Sequence, residues 1–310
     1  MFRVLITVGL TLIFAFVSMA VYTTVGTHTR TEVELQLHER LKGAHQSITH
    51  LQQLSNSATL ARAKEVARDK NLVESMRIEV EGEEGYLKRH QVVLNIVNKW
   101  KGELTRRSQG AIDSSSGRLE DWQAKKPYFF NIIDSNGLLV ADMNNARSFA
   151  KTESAKEYSN ISKKYPILNA ALGKDAESFY DVWQVGHQLL VGVSPIIEGD
   201  QVLGAVVIGY HINQSSEEYK RSLLADVGYF FQGKLQGSST LGKEESVLEE
   251  SVSQLLETYK RTPYTPIKVK LNDRTLLLRL GEVSGHKSSE KVHFFVAVNW
   301  SDTLENAMSI

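Results

Sequence analysis

The segment from Glu177 to Asn213 constrains the fold most, because it contains three runs of strand-forming residues with very little chain between them. The runs span about Phe179 to Val185, Gln188 to Ile197 and Gln201 to Ile212, and Val, Ile, Tyr and Trp dominate them. Only Gly-His and Glu-Gly-Asp separate the runs, and links this short cannot contain a crossover helix. The segment therefore predicts three antiparallel strands joined by hairpin turns.

A further hairpin precedes these strands. Tyr128 to Asp134 and Leu138 to Met143 predict two strands, and the Asp-Ser-Asn-Gly sequence between them is typical of a turn. A polar excursion follows from Asn144 to Lys164, too long for a simple loop. A short helix is predicted from Tyr165 to about Gly173. Together these elements predict a sheet of about five strands.

The N-terminus carries an uncharged apolar stretch from Val4 to Gly26. Such a length of apolar residues, about 20, matches the hydrocarbon thickness of a bilayer. We interpret it as a transmembrane signal anchor with its N-terminus in the cytoplasm. The alternative is a cleaved signal peptide, since Ser18-Met19-Ala20 has the small residues of a cleavage site. Both interpretations place the rest of the chain outside the cytoplasm.

A long helix is predicted from about His28 to Asp69, because this stretch contains no proline and a single glycine. Its apolar residues step by four and three, which is a heptad seam formed by Leu37, Leu41, Ala44, Ile48 and Leu51. We expect the half near the membrane to pair with a second copy in a homodimer and the distal half to cover the sheet. A second amphipathic helix is predicted from about Glu84 to Arg107.

The residues after Asn213 repeat this pattern in shorter form. A connecting helix is predicted from Ser215 to Ala225, and an amphipathic helix from Lys243 to Tyr259. Strands are predicted on either side of that helix, at Val227–Gln232, Lys234–Ser238, Ile267–Leu271, Arg274–Gly281 and Lys291–Trp300. The order is again two strands, a helix and three strands, so a second sheet of about five strands is expected.

The sequences FFNIIDSNGLLVAD and GVSPIIEGDQVLGAVVIGYHI, placed behind a long helix, resemble those of a Cache domain. Cache domains are the PAS-like extracytoplasmic sensor modules of bacterial receptors. The repeated second half is similar to the membrane-proximal module of double-Cache receptors, so the resemblance covers about Thr29 to Ile310. It implies a region that binds a small molecule and passes a conformational change along the long helix to the membrane. The amino-acid-binding signature of the family has no clear counterpart here. The ligand class therefore stays open among an amino acid, a carboxylate and an amine.

The fold class predicted is α+β, with a transmembrane helix, a stalk helix and two tandem PAS-like modules. The expected boundaries are an anchor at 1–27, a helical region at 28–107, a distal module at 108–213, a proximal module at 214–300 and a tail at 301–310. Double-Cache receptors usually return to the membrane and carry a cytoplasmic output domain, and nothing in this sequence resembles one. We therefore expect the chain to be the N-terminal part of a longer receptor, the alternative being a protein tethered by one helix.

Composition and motifs argue against other functions. Basic and acidic residues balance at 36 each, which does not favour nucleic acid as a partner. The chain has no cysteine, and the spacings of seven and five among His38, His45 and His50 differ from the i, i+4 spacing of a helical zinc pair, so we predict no metal and no cofactor. No nucleotide-binding, metalloprotease or nucleophile-elbow motif is present, and we predict that the chain is not an enzyme.

A ligand pocket is expected on the sheet face opposite the long helix, under the polar excursion. Aromatic side chains with polar ends, together with a few charged groups, suit such a pocket. The candidates are Tyr128, Phe130, Asp142, Arg147, Tyr165, Tyr180, Trp183 and Tyr210. Two other hypotheses stay open: a ligand-free scaffold that holds a protein partner in the cell envelope, and a secreted binding protein released by cleavage after Ala20.

Overall fold

The fold consists of a helical N-terminal part followed by two separate five-stranded sheets. A computed structural model of the chain describes residues 2–78, 82–113, 127–143, 160–185, 187–212, 220, 223–231, 233–235, 241, 245–272, 274–283, 285, 291–301 and 303. The predicted connecting helix from Ser215 to Ala225 and the predicted tail lie largely outside these residues. Arg147, one of the predicted ligand residues, also lies outside them.

Three helices form the N-terminal part. Helix α1 spans Phe2–Ala67 in 66 residues, α2 spans Lys70–Met76 and α3 spans Gly82–Asp113. Asp69 ends the long helix and caps the next, since its Oδ1 accepts a hydrogen bond from Asn71 N at 2.9 Å. Its other oxygen accepts a bond from Trp100 Nε1 on α3 at 2.7 Å. One carboxylate therefore fixes where all three helices meet.

The predicted membrane span is helical, because α1 continues through it from Phe2. The side chains of residues 1–13, 22 and 26 lie outside the described part of the chain. Over the side chains that are described, no helix has both the length and the apolar character needed to cross a bilayer. The transmembrane helix therefore stays a prediction from the sequence.

The first sheet, called the distal sheet here, has the strand order β2-β1-β5-β4-β3 and is antiparallel throughout. Its strands are β1 Phe129–Asp134, β2 Leu139–Asp142, β3 Phe179–Val185, β4 His187–Glu198 and β5 Gln201–His211. Asp134 closes the β1–β2 turn by accepting hydrogen bonds from Asn136 N and Leu138 N, both at 2.9 Å. The hairpins predicted from the short links are confirmed.

The second sheet, called the proximal sheet, has the strand order β7-β6-β10-β9-β8 and is also antiparallel. Its strands are β6 Asp226–Phe231, β7 Lys234–Leu235, β8 Ile267–Leu271, β9 Arg274–Glu282 and β10 Val292–Asn299. Helix α4, Glu245–Arg261, covers one of its faces with Leu248, Val252 and Leu255. The two sheets therefore have the same topology, as the repeated pattern predicted.

Helix α1 covers the opposite face of the proximal sheet and continues onto the distal sheet. The seam from Leu37 to Leu51 is buried against Phe294, Val296 and neighbouring residues of the same chain. The prediction that this seam pairs with a second copy is therefore wrong. A heptad stripe needs an apolar cover, and here the proximal sheet provides it.

The contact between α1 and the distal sheet depends on a glycine. Gly192 on β4 lies directly under the backbone of Thr59, and a Cβ added at this glycine would lie 2.7 Å from the Thr59 carbonyl oxygen. Such a separation is below van der Waals contact, so any larger residue would push the helix from the sheet. Gly43, also on α1, has no atom within 4 Å of an added Cβ and is exposed.

These two glycines give a matched test of the helix–sheet contact. We expect Gly192→Ala to lower the free energy of unfolding by about 1–3 kcal/mol through overpacking. Gly43→Ala should raise it by about 0.5–1 kcal/mol, because alanine is the better helix former. Urea unfolding followed by circular dichroism measures both, and an unchanged midpoint for Gly192→Ala would contradict the close approach of α1.

Candidate functional site

The two faces of the distal sheet have different surroundings. The inner face, which includes Phe130, Ile132 and Ile208, packs against α1, α2 and α3. The outer face, which includes Asp181, Trp183 and Val207, points away from these helices, because alternate residues of a strand point to opposite sides. Two short helical segments, Ile161–Lys164 and Asn169–Leu172, pack on the outer face. Residues 144–159 of the predicted excursion lie outside the described part of the chain.

Three aromatic rings form a cluster on the outer face. The Tyr165 and Trp183 rings are stacked with centroids 4.1 Å apart and planes within 5°. Phe129 lies 6.0 Å from Trp183 with its plane inclined by 20°. Gly209 makes this possible, because a Cβ at that position would overlap the Phe129 ring. The result is a stack of aromatic rings, and the Lys164 ammonium lies over the Tyr165 ring, 5.5 Å from its centroid, because π faces attract cations.

A buried carboxylate lies beside this cluster. Asp181 is only 1% exposed, and its Oδ2 accepts a hydrogen bond from Trp183 Nε1 at 3.0 Å. A buried carboxylate is costly unless cationic or hydrogen-bonding groups surround it, and charge-assisted hydrogen bonds are the strongest available to it. Asp181 next to the Trp183 and Tyr165 rings is therefore suited to hold a small cationic group.

A second acidic group lies at the opposite edge of the same face. Asp142 on β2 is paired with Asn131 on β1. In the amide orientation that satisfies both of its polar atoms, the Asn131 side-chain nitrogen donates a hydrogen bond to Asp142 Oδ1 at 3.2 Å. Because β2 and β3 are the two edge strands, Asp142 and Asp181 are separated by four interstrand steps, roughly 19 Å. The two carboxylates therefore cannot share one small ligand.

Seven of the eight predicted ligand residues are described by the structure, and they lie in several places. Asp142, Tyr165 and Trp183 are on the outer face. Tyr128 lies just before β1, and its ring is 4.2 Å from the His211 ring with the two planes inclined by 59°. Phe130, Tyr180 and Tyr210 pack instead among the residues under the helices. The prediction of a single shared face is therefore wrong for these three, because each falls on the opposite alternation of its strand.

Sequence reasoning missed Asp181, although a signal for it was present. Phe179, Asp181 and Trp183 alternate along β3, so any face that contains Trp183 must contain Asp181 as well. An acidic residue inside an otherwise apolar run is the unusual feature, since aspartate is rarely fully buried.

The proximal module has an open groove between α1 and β9. This proximal groove has a volume of about 600 Å³ and is lined by His45, His50, Arg279 and Glu282 among others. His45 is buried, its Nε2 donates to the Leu280 carbonyl at 3.1 Å, and its ring stacks on Phe294 with centroids 5.0 Å apart. Burial lowers the pKa of His45 to about 4, and the positive charge of Arg279 contributes in the same direction.

Comparison with known proteins identifies the architecture. No model of a protein family and no curated protein matches the chain. Among solved structures, the sensory domain of the Campylobacter jejuni chemoreceptor Tlp3 is similar at 15% identity and a TM-score of 0.51, covering 90% of this chain and 99% of that domain. The extracellular domain of the histidine kinase vpHK1S-Z8 is similar at 10% identity and a TM-score of 0.51, covering 92% and 97%.

The chain has the fold of a receptor sensory domain. A structure of the Tlp3 ligand-binding domain, in complex with L-valine, is also similar, at 14% identity and a TM-score of 0.50, with 90% of this chain and 98% of that domain covered. The expected arrangement of a long helix behind two five-stranded antiparallel sheets is confirmed. Among the described residues, no three histidine, cysteine, aspartate or glutamate side chains are grouped so that they could hold a metal ion.

His45 gives the sensory fold a pH dependence that can be measured. In the unfolded chain a histidine has a pKa of about 6.5, so between that value and about 4 only the unfolded chain takes up the proton. We expect stability to fall as the pH drops through this range, by up to about 1.4 kcal/mol per pH unit from His45. Burial also lowers the pKa of His293, which adds to the same trend.

The measurement is urea unfolding between pH 7 and pH 5. His45→Gln keeps a donor for the Leu280 carbonyl but cannot titrate, so its stability should change less with pH than that of the parent. His50→Gln alters an exposed histidine on the same helix and serves as the control. An equal pH slope in the parent and in His45→Gln would show that the His45 environment does not control this dependence.

Proposed function

We propose that the chain is the extracytoplasmic sensing region of a bacterial membrane receptor and binds a small molecule on the outer face of the distal sheet. The observation that carries this proposal is the buried carboxylate of Asp181 next to the stacked rings of Trp183 and Tyr165. Aromatic rings beside a single charged group are a common lining of sites that bind a small ligand. The likeness to chemoreceptor sensory domains supports the same function.

The ligand class that fits these residues is a small primary amine, above all an α-amino acid. An ammonium group placed against Asp181 would gain charge-assisted hydrogen bonds, and the neighbouring indole and phenol rings would attract the same charge. The similar Tlp3 ligand-binding domain binds L-valine, which agrees with an amino acid as the ligand here.

Transmission to the membrane would use α1. This helix packs on both sheets, and its N-terminal continuation, residues 4–26, is the predicted anchor in the inner membrane. Binding at the distal sheet changes the position of α1 only if the ligand has different affinities for two arrangements of the helix. A homodimer with the sensing modules in the periplasm would carry this movement across the membrane, and its interface would lie elsewhere than the buried seam.

A ligand screen with two matched variants tests the site. Thermal unfolding of the chain is measured with each of the common amino acids and with simple amines. A ligand present at 100 times its dissociation constant should raise the melting temperature by about 5 °C. Asp181→Asn, which keeps the shape but removes the charge, should weaken binding at least tenfold, because hydrogen bonds to charged groups are the strong ones.

Asp142→Asn is the control, because it removes a carboxylate from the far edge of the same face. Binding that is lost in Asp142→Asn and retained in Asp181→Asn would contradict the proposed position of the ligand. A screen in which no compound stabilises the parent chain would favour the ligand-free scaffold instead.

A further inference from the structure

A second cavity lies at the junction of the two modules, beneath α1. This junction cavity has a volume of about 40 Å³ and is bounded by α1, by the inner face of the distal sheet, and by Tyr229 and Val283 of the proximal module. Its polar lining includes Gln52, Asn56, Thr59, Arg62, Tyr210 and Tyr229. It is distinct from the outer face, because Asp181 and Trp183 point to the other side of β3.

The apolar seam of α1 changes character where the helix reaches this cavity. The steps of four and three that run from Leu37 to Leu51 continue with Ser55, Ala58 and Arg62, which all line the cavity. Beside them, Asn56 and Thr59 are also turned inward and are only 4% and 3% exposed. A helix that only needed to cover the sheets would keep large apolar residues here, since buried polar groups cost free energy unless they are hydrogen-bonded.

Some of these polar groups are satisfied within the protein and one is not. Gln52 Nε2 donates to the Tyr229 hydroxyl at 3.2 Å. Tyr210 is only 3% exposed, and no acceptor for its hydroxyl proton lies among the described residues, since the neighbouring Arg62 guanidinium can only donate a hydrogen bond to it. Burial raises the pKa of Tyr210, so the hydroxyl keeps its proton and can donate it. Orphaned buried hydroxyls are uncommon in native proteins, and one that faces a cavity indicates a missing acceptor.

The charge around the cavity is positive. The Arg62 guanidinium lies over the Tyr210 ring, 5.1 Å from its centroid. Among the described residues that line the cavity there is no aspartate or glutamate. A bound group that accepts hydrogen bonds and carries negative charge would complement both the guanidinium and the Tyr210 hydroxyl.

The size of the cavity limits the ligand to a few atoms. A volume of about 40 Å³ is enough for roughly one to three water molecules and too small for most amino acids. We propose that the junction cavity binds a small carboxylate-type anion, such as formate, acetate or bicarbonate, between Arg62 and the Tyr210 hydroxyl. Because Tyr210 belongs to the distal sheet and Tyr229 to the proximal sheet, the anion stabilises the contact between the two modules.

The test measures anion binding to the full chain. Sodium formate, sodium acetate and sodium bicarbonate are titrated at constant ionic strength made up with sodium chloride, and thermal unfolding and calorimetry follow binding. We expect at least one of the three anions to stabilise the parent chain saturably. Acetamide, which has the shape of acetate without its charge, should give no such effect, and an equal effect of acetamide would overturn the anionic class.

Two substitutions locate the binding site. Tyr210→Phe removes only the orphaned hydroxyl and should weaken anion binding about tenfold or more, while the stability of the anion-free chain changes little. Arg62→Gln should weaken binding at least as much. Tyr128→Phe, which changes a hydroxyl outside the cavity, is the control and should bind as the parent does.

The result of the anion-binding test does not depend on the proposed ligand site on the outer face. Asp181→Asn should keep the full anion effect, because its side chain is on the other side of the sheet. Anion binding that is absent from the parent, or unchanged in Tyr210→Phe, would overturn the proposal whatever the amino-acid screen shows. Circular dichroism confirms that each variant is folded before binding is compared.

Discussion

The structure depends on the burial of one side of α1 against both sheets. From Leu37 to Leu51 the helix covers the proximal sheet, and from Thr59 to Ala67 it covers the distal sheet. Each buried leucine or isoleucine contributes about 1.5–3 kcal/mol to such a contact. Each described strand belongs to one sheet only, and α1 holds the two sheets together because it contributes to the core of each.

Alternation along the strands separates the functions of the distal sheet. Residues on the inner face are apolar because three helices cover them, whereas the outer face can carry Asp181 and an aromatic cluster. Each strand contributes side chains to both faces, so residues on the two faces can be neighbours in sequence. Val182 lies between Asp181 and Trp183 in sequence, and it lines the junction cavity on the inner side. A shift of β3 caused by a ligand on the outer face would therefore act directly on the cavity and on α1.

The polar residues of α1 at the junction cavity weaken the contact between this helix and the sheets. Replacing large apolar residues with Ser55, Asn56 and Thr59 gives up part of the hydrophobic stabilisation of the helix–sheet contact. It also leaves the contact between modules weaker than a fully apolar core would be, and such regions are where proteins change conformation. Helix α1 therefore packs firmly on the proximal sheet and more loosely at the junction cavity. This arrangement suits a helix that keeps its contact with the proximal sheet while its contact with the distal sheet changes.

Local sequence determined the elements, since hydrophobic alternation and turn residues act over a few positions. The bounds of β3 at Phe179–Val185 and of β8 at Ile267–Leu271 agree with those predicted, and so does the repeated strand order. What covers each face depends on contacts between distant residues. The seam of α1 has the same pattern whether a sheet or a second helix covers it, and only packing showed that it is the sheet. Tyr210 and Trp183 have similar side chains, but strand pairing alone places the first at the junction cavity and the second on the outer face.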